Sequence, residues 1–154
     1  AGVSFRHLAM LAQIKSNDGD IWGSLRRSGH LDGEPGDVLT GRMRRMRNWV
    51  DGPHFPDAAK IVVQSSVDEE AHANLTEAHK EFLSALSEAL ADCEWTDGAI
   101  GNCIRATIAA AGIGGRDAYV ALYWAILGKH YGPKASSLMA EMESEHLLSL
   151  ISET

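Results

Sequence analysis

Apolar residues recur at helical spacing along almost the whole chain, and no stretch sustains the apolar-polar alternation with β-branched residues that marks a half-buried strand. Ser4 is placed to cap a first helix whose apolar positions include Phe5, Leu8, Leu11 and Ala12, with its end near the Ser16-Asn17-Asp18-Gly19 turn. A second, short helix carries Ile21, Trp22 and Leu25. It has Arg26 and Arg27 in its last turn, where cations suit the helix dipole, and it closes at Gly29. His30 to Gly36 reads as a loop. A third helix is expected from about Asp37 to Val50, stopped by Gly52-Pro53 with Pro56 soon after.

The segment 60–67, Lys-Ile-Val-Val-Gln-Ser-Ser-Val, is the one strand candidate; with no partner it reads as an extended connector, and it divides the chain near Gln64. Beyond it the pattern predicts a long helix over roughly Leu75 to Cys93. Another is capped by Thr96 and runs out at Gly112-Ile-Gly-Gly115. A third opens at Asp117 and stops at Gly128. Gly132-Pro133 is expected to start a short helix through Leu138 and Met142, and Ser144 to cap the last one. The gaps are short, which favours antiparallel neighbours in a bundle. The expectation is an all-α fold of about seven to eight helices: a helical segment over 1–64, a C-terminal bundle over 65–154, and together one compact unit.

Composition narrows the class. With 154 residues, 45% hydrophobic and 23% charged, the chain is ordinary for a globular domain and long enough to need no disulfide or metal staple. No apolar run approaches the ~18–20 residues of a membrane span, and no signal peptide is visible, so a soluble, cytoplasmic protein without a membrane partner is expected. Cys93 and Cys103 fit no zinc or redox spacing and read as reduced, largely buried thiols. The start at Ala1-Gly2, without Met, suggests a piece of a longer protein or a processed product.

Charge is unevenly distributed. Residues 1–64 hold nine Lys and Arg against seven Asp and Glu, a balance of +2, whereas 65–154 hold five against fourteen, a balance of -9. Local positive potential attracts phosphate even in an acidic protein. At about 100° per residue, Met43, Met46 and Val50 fall within about 40° of Leu39 and form a narrow apolar stripe on the third helix. Arg42, Arg45 and Trp49 share an adjoining arc, between about 240° and 300°, while Arg44 and Arg47 lie elsewhere. Arginines beside a tryptophan offer a phosphate fork and a stacking plane, which suits single-stranded or loop RNA. On the residues alone, Trp49 folded against the core edge with Arg45 stacked on it is equally open. The candidate RNA-binding set is Arg42, Arg44, Arg45 and Arg47, with Arg26 and Arg27, to neutralise phosphates, and Trp49 or Trp22 to stack a base; Trp95 and Trp124 are expected in the core.

Two Glu-x-x-His pairs, Glu69 with His72 and Glu143 with His146, have the spacing of carboxylate-bridged di-metal bundles. Both lie in polar, helix-start contexts, and no further Glu sits on an apolar stripe, so a metal-binding bundle is the alternative and not the main reading. His7, His30, His54, His79 and His130 are scattered. No nucleophile elbow, phosphate loop or dinucleotide fingerprint occurs, so no catalytic residue is expected.

Several phrases are similar to the C-terminal region of class I lysyl-tRNA synthetases. They are Val3-Ser-Phe-Arg-His-Leu8, the Arg42 to Trp49 stretch followed by Pro53 and Pro56, Leu75-Thr-Glu, and Glu94-Trp95-Thr96. The series continues with Ala118-Tyr119-Val-Ala-Leu-Tyr123 and ends with Ile126-Leu-Gly-Lys-His-Tyr-Gly132-Pro133-Lys134. The resemblance implies a helical cage of the class I anticodon-binding type. Its partners would be the anticodon stem-loop of lysine tRNA and an N-terminal catalytic domain of the same polypeptide. In that family the catalytic domain, with its HIGH-type and KMSKS-type signatures, makes lysyl-adenylate from ATP with Mg. Neither signature occurs here, so this chain by itself is expected to be non-catalytic and without cofactor. A related class I enzyme, glutamyl-tRNA synthetase, ends with a similar Gly-Pro pattern and is the competing family.

Overall fold

Ser4 caps the first helix as its position predicts, its hydroxyl accepting the His7 N–H at 3.1 Å. The computed structural model describes residues 3–15, 17–67 and 69–154; the opening Ala1-Gly2 and the turn residue Ser16 lie outside the described residues. Among the described residues the chain forms nine α-helices and one short 3-10 turn, with no strand. It divides into two units, Ala1–Val62 and Val63–Thr154.

The first unit holds α1 (Phe5–Ile14), α2 (Asp18–Arg27) and α3 (Asp37–Val50). Asn17 caps α2 by accepting the Asp20 N–H at 2.9 Å. Gly29, at φ +80°, takes the left-handed turn after α2 and lets the His30 and Leu31 N–H groups return to the Leu25 carbonyl. α1 packs against α2 and α3, burying Leu8, Leu11, Ile21, Leu25 and Met43 completely or nearly so. Met43 and Met46 are buried as the stripe predicts, but Leu39 and Val50 are only half-buried, so the apolar contact of α3 is confined to its middle.

The second unit is built around α5 (Glu77–Ala91), which packs on α6 (Asp97–Ala111), α7 (Gly115–Leu127) and α9 (Ser144–Ser152). Its Phe82, Leu83, Leu86 and Leu90 are buried, as are Ile100 and Ile104 on α6, Leu122 and Ile126 on α7, and Leu147 and Leu150 on α9. Each such side chain contributes about 1.5–3 kcal/mol relative to exposure. α8 (Ala135–Ala140) lies against α6, and a short α4 (Glu69–Asn74) packs on α7. The 60–67 segment is an extended connector: the Gln64 N–H donates to the Ile126 carbonyl at 2.9 Å, and its own carbonyl accepts from His146 Nε2 at 2.9 Å. Among the described residues no helix is long and apolar enough to cross a membrane.

Several boundaries differ from the sequence pattern for local reasons. The helix expected from Leu75 starts at Glu77, because Thr76 forms a reciprocal capping box with His79, each side chain accepting the other's backbone N–H at 3.2 Å. The separate α4 raises the helix number above the expected seven to eight. α7 begins at Gly115, ahead of Asp117, and α8 begins at Ala135, after Gly132-Pro133. Ser144 is the first residue of α9, and the cap position belongs to Glu143, whose side chain makes no cap bond. Trp95 and Trp124 are half-buried and not in the core; Trp95 Nε1 donates to the Met142 carbonyl at 3.0 Å.

The Leu-Gly…Gly-Pro segment acquires a physical reason. Gly128, at φ +67°, ends α7, and the chain then returns so closely that a Cβ on Gly132 would lie 2.7 Å from Leu127 Cδ1 and 3.0 Å from the Tyr123 ring. That ring cannot give way easily, since Tyr123 donates its hydroxyl to the Pro133 carbonyl; burial, with Tyr119 nearby, pushes the phenol pKa up and keeps it a donor. α8 is tied to α6 by Asp97, which accepts hydroxyl hydrogen bonds from Ser136 and from Ser137 at 2.6 Å, with Lys134 Nζ at 3.4 Å. Burial pushes the Asp97 carboxyl up, but Ser136, Ser137 and Lys134 together outweigh it and hold the group below the ordinary value of 3.8.

Gly132→Ala is expected to lower stability by about 1–3 kcal/mol, the usual range for overpacking, read as a lower midpoint in urea unfolding. Asp97→Asn is expected to destabilise modestly at neutral pH. A depressed carboxyl contributes stability above its unfolded value and loses it as pH falls through the folded one. The difference between wild type and Asp97→Asn in thermal unfolding should therefore persist down to about pH 3.8 and vanish below it.

Candidate nucleic-acid interface

Residues 42, 45, 46 and 49 share one face of α3, and where α1 packs against that face the two helices enclose a pocket of about 360 Å³. Leu8 and Met46, both buried, line its depth. Phe5 and Trp49 are its aromatic lining, and Arg42 and Arg45 its cations. The volume lies at the small end of the ~300–1,000 Å³ range of ligand pockets, which suits one planar group better than an extended ligand.

The aromatic lining is held in place. Trp49 meets buried Phe55 edge-on, with centroids 4.6 Å apart at 88°, and meets Phe5 at 5.3 Å in a tilted arrangement. Trp49 is thus half-buried and fixed at the core edge, yet still lines the pocket. Phe5 is 58% exposed, and it is the member of the site that periodicity did not single out, because it counted as a core position of α1. The available signal was its place as first residue of the helix, one turn before the buried Leu8, where the core-facing stripe begins to leave the core.

The arginines divide into distinct roles. Arg42 is half-buried and donates Nη2 to the Val3 carbonyl at 2.8 Å, which fixes its guanidinium at the pocket. Arg45 is exposed, lines the pocket and makes no ion pair with any described residue; Arg44 is likewise exposed and unpaired among the described residues, but lies outside the pocket lining. Arg47 is a clamp within the unit: Nη1 donates to Ala12 O at 2.7 Å, Nη2 to Lys15 O at 3.1 Å, and Nε to Asp18 Oδ1 at 3.0 Å. Arg26 donates Nε to Gly33 O at 2.8 Å and pairs with Glu34 at 3.4 Å. Arg27 and Trp22 stand on α2 and do not line the pocket.

The alternative metal set does not assemble. Glu69 and His72 lie on α4, Glu143 precedes α9, and His146 on α9 uses Nε2 as donor to the Gln64 carbonyl. Among the described residues no three His, Cys, Asp or Glu side chains are grouped to hold an ion.

Comparison with known proteins agrees with this architecture. Residues 37–153 match the family model of the anticodon binding domain. The chain is similar to a lysine–tRNA ligase of Picrophilus torridus, 24% identical with 99% of this chain and 30% of that protein covered. It is similar to a lysine–tRNA ligase of Methanopyrus kandleri at 29% identity, over 97% of this chain and 29% of the relative. The chain therefore spans about 30% of the length of the relatives it matches. Its fold is similar to part of a glutamate tRNA ligase crystal structure from Elizabethkingia meningosepticum, with TM-score 0.55, 21% identity, and coverage of 94% of this chain and 30% of that one.

The contrast between Arg47 and Arg45 is directly measurable. Arg47→Met strands the acceptors on Ala12, Lys15 and Asp18 and is expected to cost about 1–3 kcal/mol in denaturant unfolding, while Arg45→Ala stays within about 0.5 kcal/mol of wild type.

Proposed function

We propose, on the premise that this chain belongs to the anticodon binding domain family, that it binds the anticodon stem-loop of a lysine tRNA through the α1–α3 pocket. The observation that carries the reading is the Trp49–Phe5 lining with the exposed Arg45, which has no ion pair among the described residues, beside it: an apolar plane for an unstacked base next to a cation for the adjoining phosphate. The α1 N-terminus at Phe5 adds the positive end of a helix dipole at the pocket. Arg42, already anchored to Val3, supplies a pre-oriented guanidinium, and the exposed Arg44 contributes to the field along the same helix.

The choice of lysine rests on the similarity of nearly the whole chain to two lysine–tRNA ligases. In this reading the chain itself performs no chemistry. ATP, Mg and lysine are handled by a catalytic domain of the same polypeptide, and the protein works in the cytoplasm with the rest of translation. In this reading Arg47, whose guanidinium is committed to Ala12, Lys15 and Asp18, and Arg26, bonded to Gly33 and Glu34, serve the fold of the unit more than the phosphate contact.

The test is a titration of the chain with a lysine-tRNA anticodon hairpin, the same hairpin with altered anticodon bases, and a glutamate-tRNA hairpin, each at two salt concentrations. The lysine hairpin is expected to bind preferentially. Trp49→Ala should weaken binding by about 1–3 kcal/mol, the range for losing one stacked base. Arg45→Ala should weaken all hairpins and reduce the salt slope by about 1. Equal binding of all three hairpins, or wild-type affinity in both variants, would overturn the assignment.

A further inference from the structure

Cys93 and Cys103, expected to be largely buried, are both half-exposed, and the Cys93 thiol donates to the adjoining Glu94 carbonyl at 3.1 Å. In the first unit, by contrast, one uncharged polar side chain reaches far along the sequence. Gln13, in the last turn of α1, donates Nε2 to the Ala59 carbonyl at 3.3 Å, as well as to Ala9 of its own helix at 3.3 Å, and its Oε1 accepts the Ile61 N–H at 2.7 Å. A side-chain amide carries both a donor and an acceptor, so this one residue fastens the chain at two positions on either side of Lys60. The same segment is fixed at its other end by the close of α3. The Gly52 N–H donates to the Trp49 carbonyl at 3.2 Å, and a Cβ on Gly52 would lie 2.9 Å from the Asn48 carbonyl oxygen, a backbone atom that no rotamer can move aside. Pro53 and Pro56 fix φ on both sides of Phe55, which is 5% exposed and stands edge-on to Trp49. Trp49 is the next-to-last residue of α3, where helix ends fray, and its other aromatic neighbour, Phe5, is exposed.

We propose that residues 52–61 are a strap that positions Trp49 for base stacking, with Phe55 bearing on the ring and Gln13 anchoring the strap to α1. The proposal rests on the α1–α3 pocket being the RNA site. Phe55 and Gln13 are positioning residues, since neither lines the pocket. The helix sets where the Trp49 Cα lies; the buried edge of Phe55 sets which way the indole faces. A ring already held in its stacking orientation loses less freedom when a base arrives, so loosening either the wedge or the anchor shortens the residence of the RNA.

The test follows the indole N–H resonances of the four tryptophans in the intact chain, with Trp49 identified by its loss in Trp49→Ala, first without RNA and then with the lysine-tRNA anticodon hairpin. Without RNA, the wild-type Trp49 indole is expected to be as ordered on the ps–ns scale as the backbone of α3. It should be clearly more mobile in Phe55→Leu, which keeps the position apolar, and in Gln13→Glu, which loses the donor to Ala59 and keeps Oε1 for Ile61. The indoles of Trp22, Trp95 and Trp124 should not change, which separates a local effect on Trp49 from a general loosening of the fold. Each variant should bind the hairpin about two- to tenfold more weakly, the worth of one aromatic pair, and neither change should weaken binding further when added to Trp49→Ala. A Trp49 indole equally ordered in wild type and both variants, or affinity losses that add in full to that of Trp49→Ala, would overturn the proposal. Failure of wild type to bind any hairpin would overturn the proposed function and the stacking role with it, while the RNA-free indole measurement would still decide whether the strap orders the ring.

Discussion

The carbonyl oxygens in the last turn of an α-helix have no donors within the helix, and at the end of α1 the guanidinium of Arg47 supplies them. It donates to Ala12 and Lys15 and takes Asp18 with its third arm, so a single side chain of α3 fastens the close of α1 to the start of α2. Arg42 does the same for the segment entering α1, through Val3. Helices of 10 residues have little independent stability, and these two clamps together with the Leu8, Leu11 and Met43 core hold α1 across α3. The candidate site exists because of that crossing.

What the clamps leave over is what the proposed RNA contact draws on. Two arginines of the 42–47 cluster are tied to backbone carbonyls and two remain exposed, so the positive potential on α3 is concentrated at positions that the fold does not require. Trp49 is packed on Phe55 at the core edge and also lines the pocket. Rigidity on one side would favour the proposed stacking on the other, because a base stacking on a fixed ring orders fewer protein groups on binding.

The second unit carries the larger core and the more acidic chain. Its Gly-Pro segment reflects close packing of backbone on Leu127 and Tyr123, which explains why such a signature identifies a fold without marking a site. Asp97 pins α8 through two serine hydroxyls, and Lys134, the last residue of the family-like phrase, completes that contact.

Helical period, caps and glycine stops were legible from the chain, because each depends on neighbours within a turn or two: Ser4, Thr96, Gly112 and Gly128 act where the pattern puts them, and α3 runs from Asp37 to Val50 as read. The Arg42–Arg45–Trp49 arc was legible for the same reason, since positions on one helix follow from rotation alone. The misread starts of α5, α7, α8 and α9 lie within one to three residues of the expected ones, at helix ends that the apolar pattern does not fix. Only tertiary structure decided that Phe5 joins the pocket, that Arg47 is a clamp and Arg45 is not, and that Asp97 holds Ser136 and Ser137. Each of these depends on residues distant in sequence or on separate helices, and helical periodicity carries no record of which face of another helix will lie opposite.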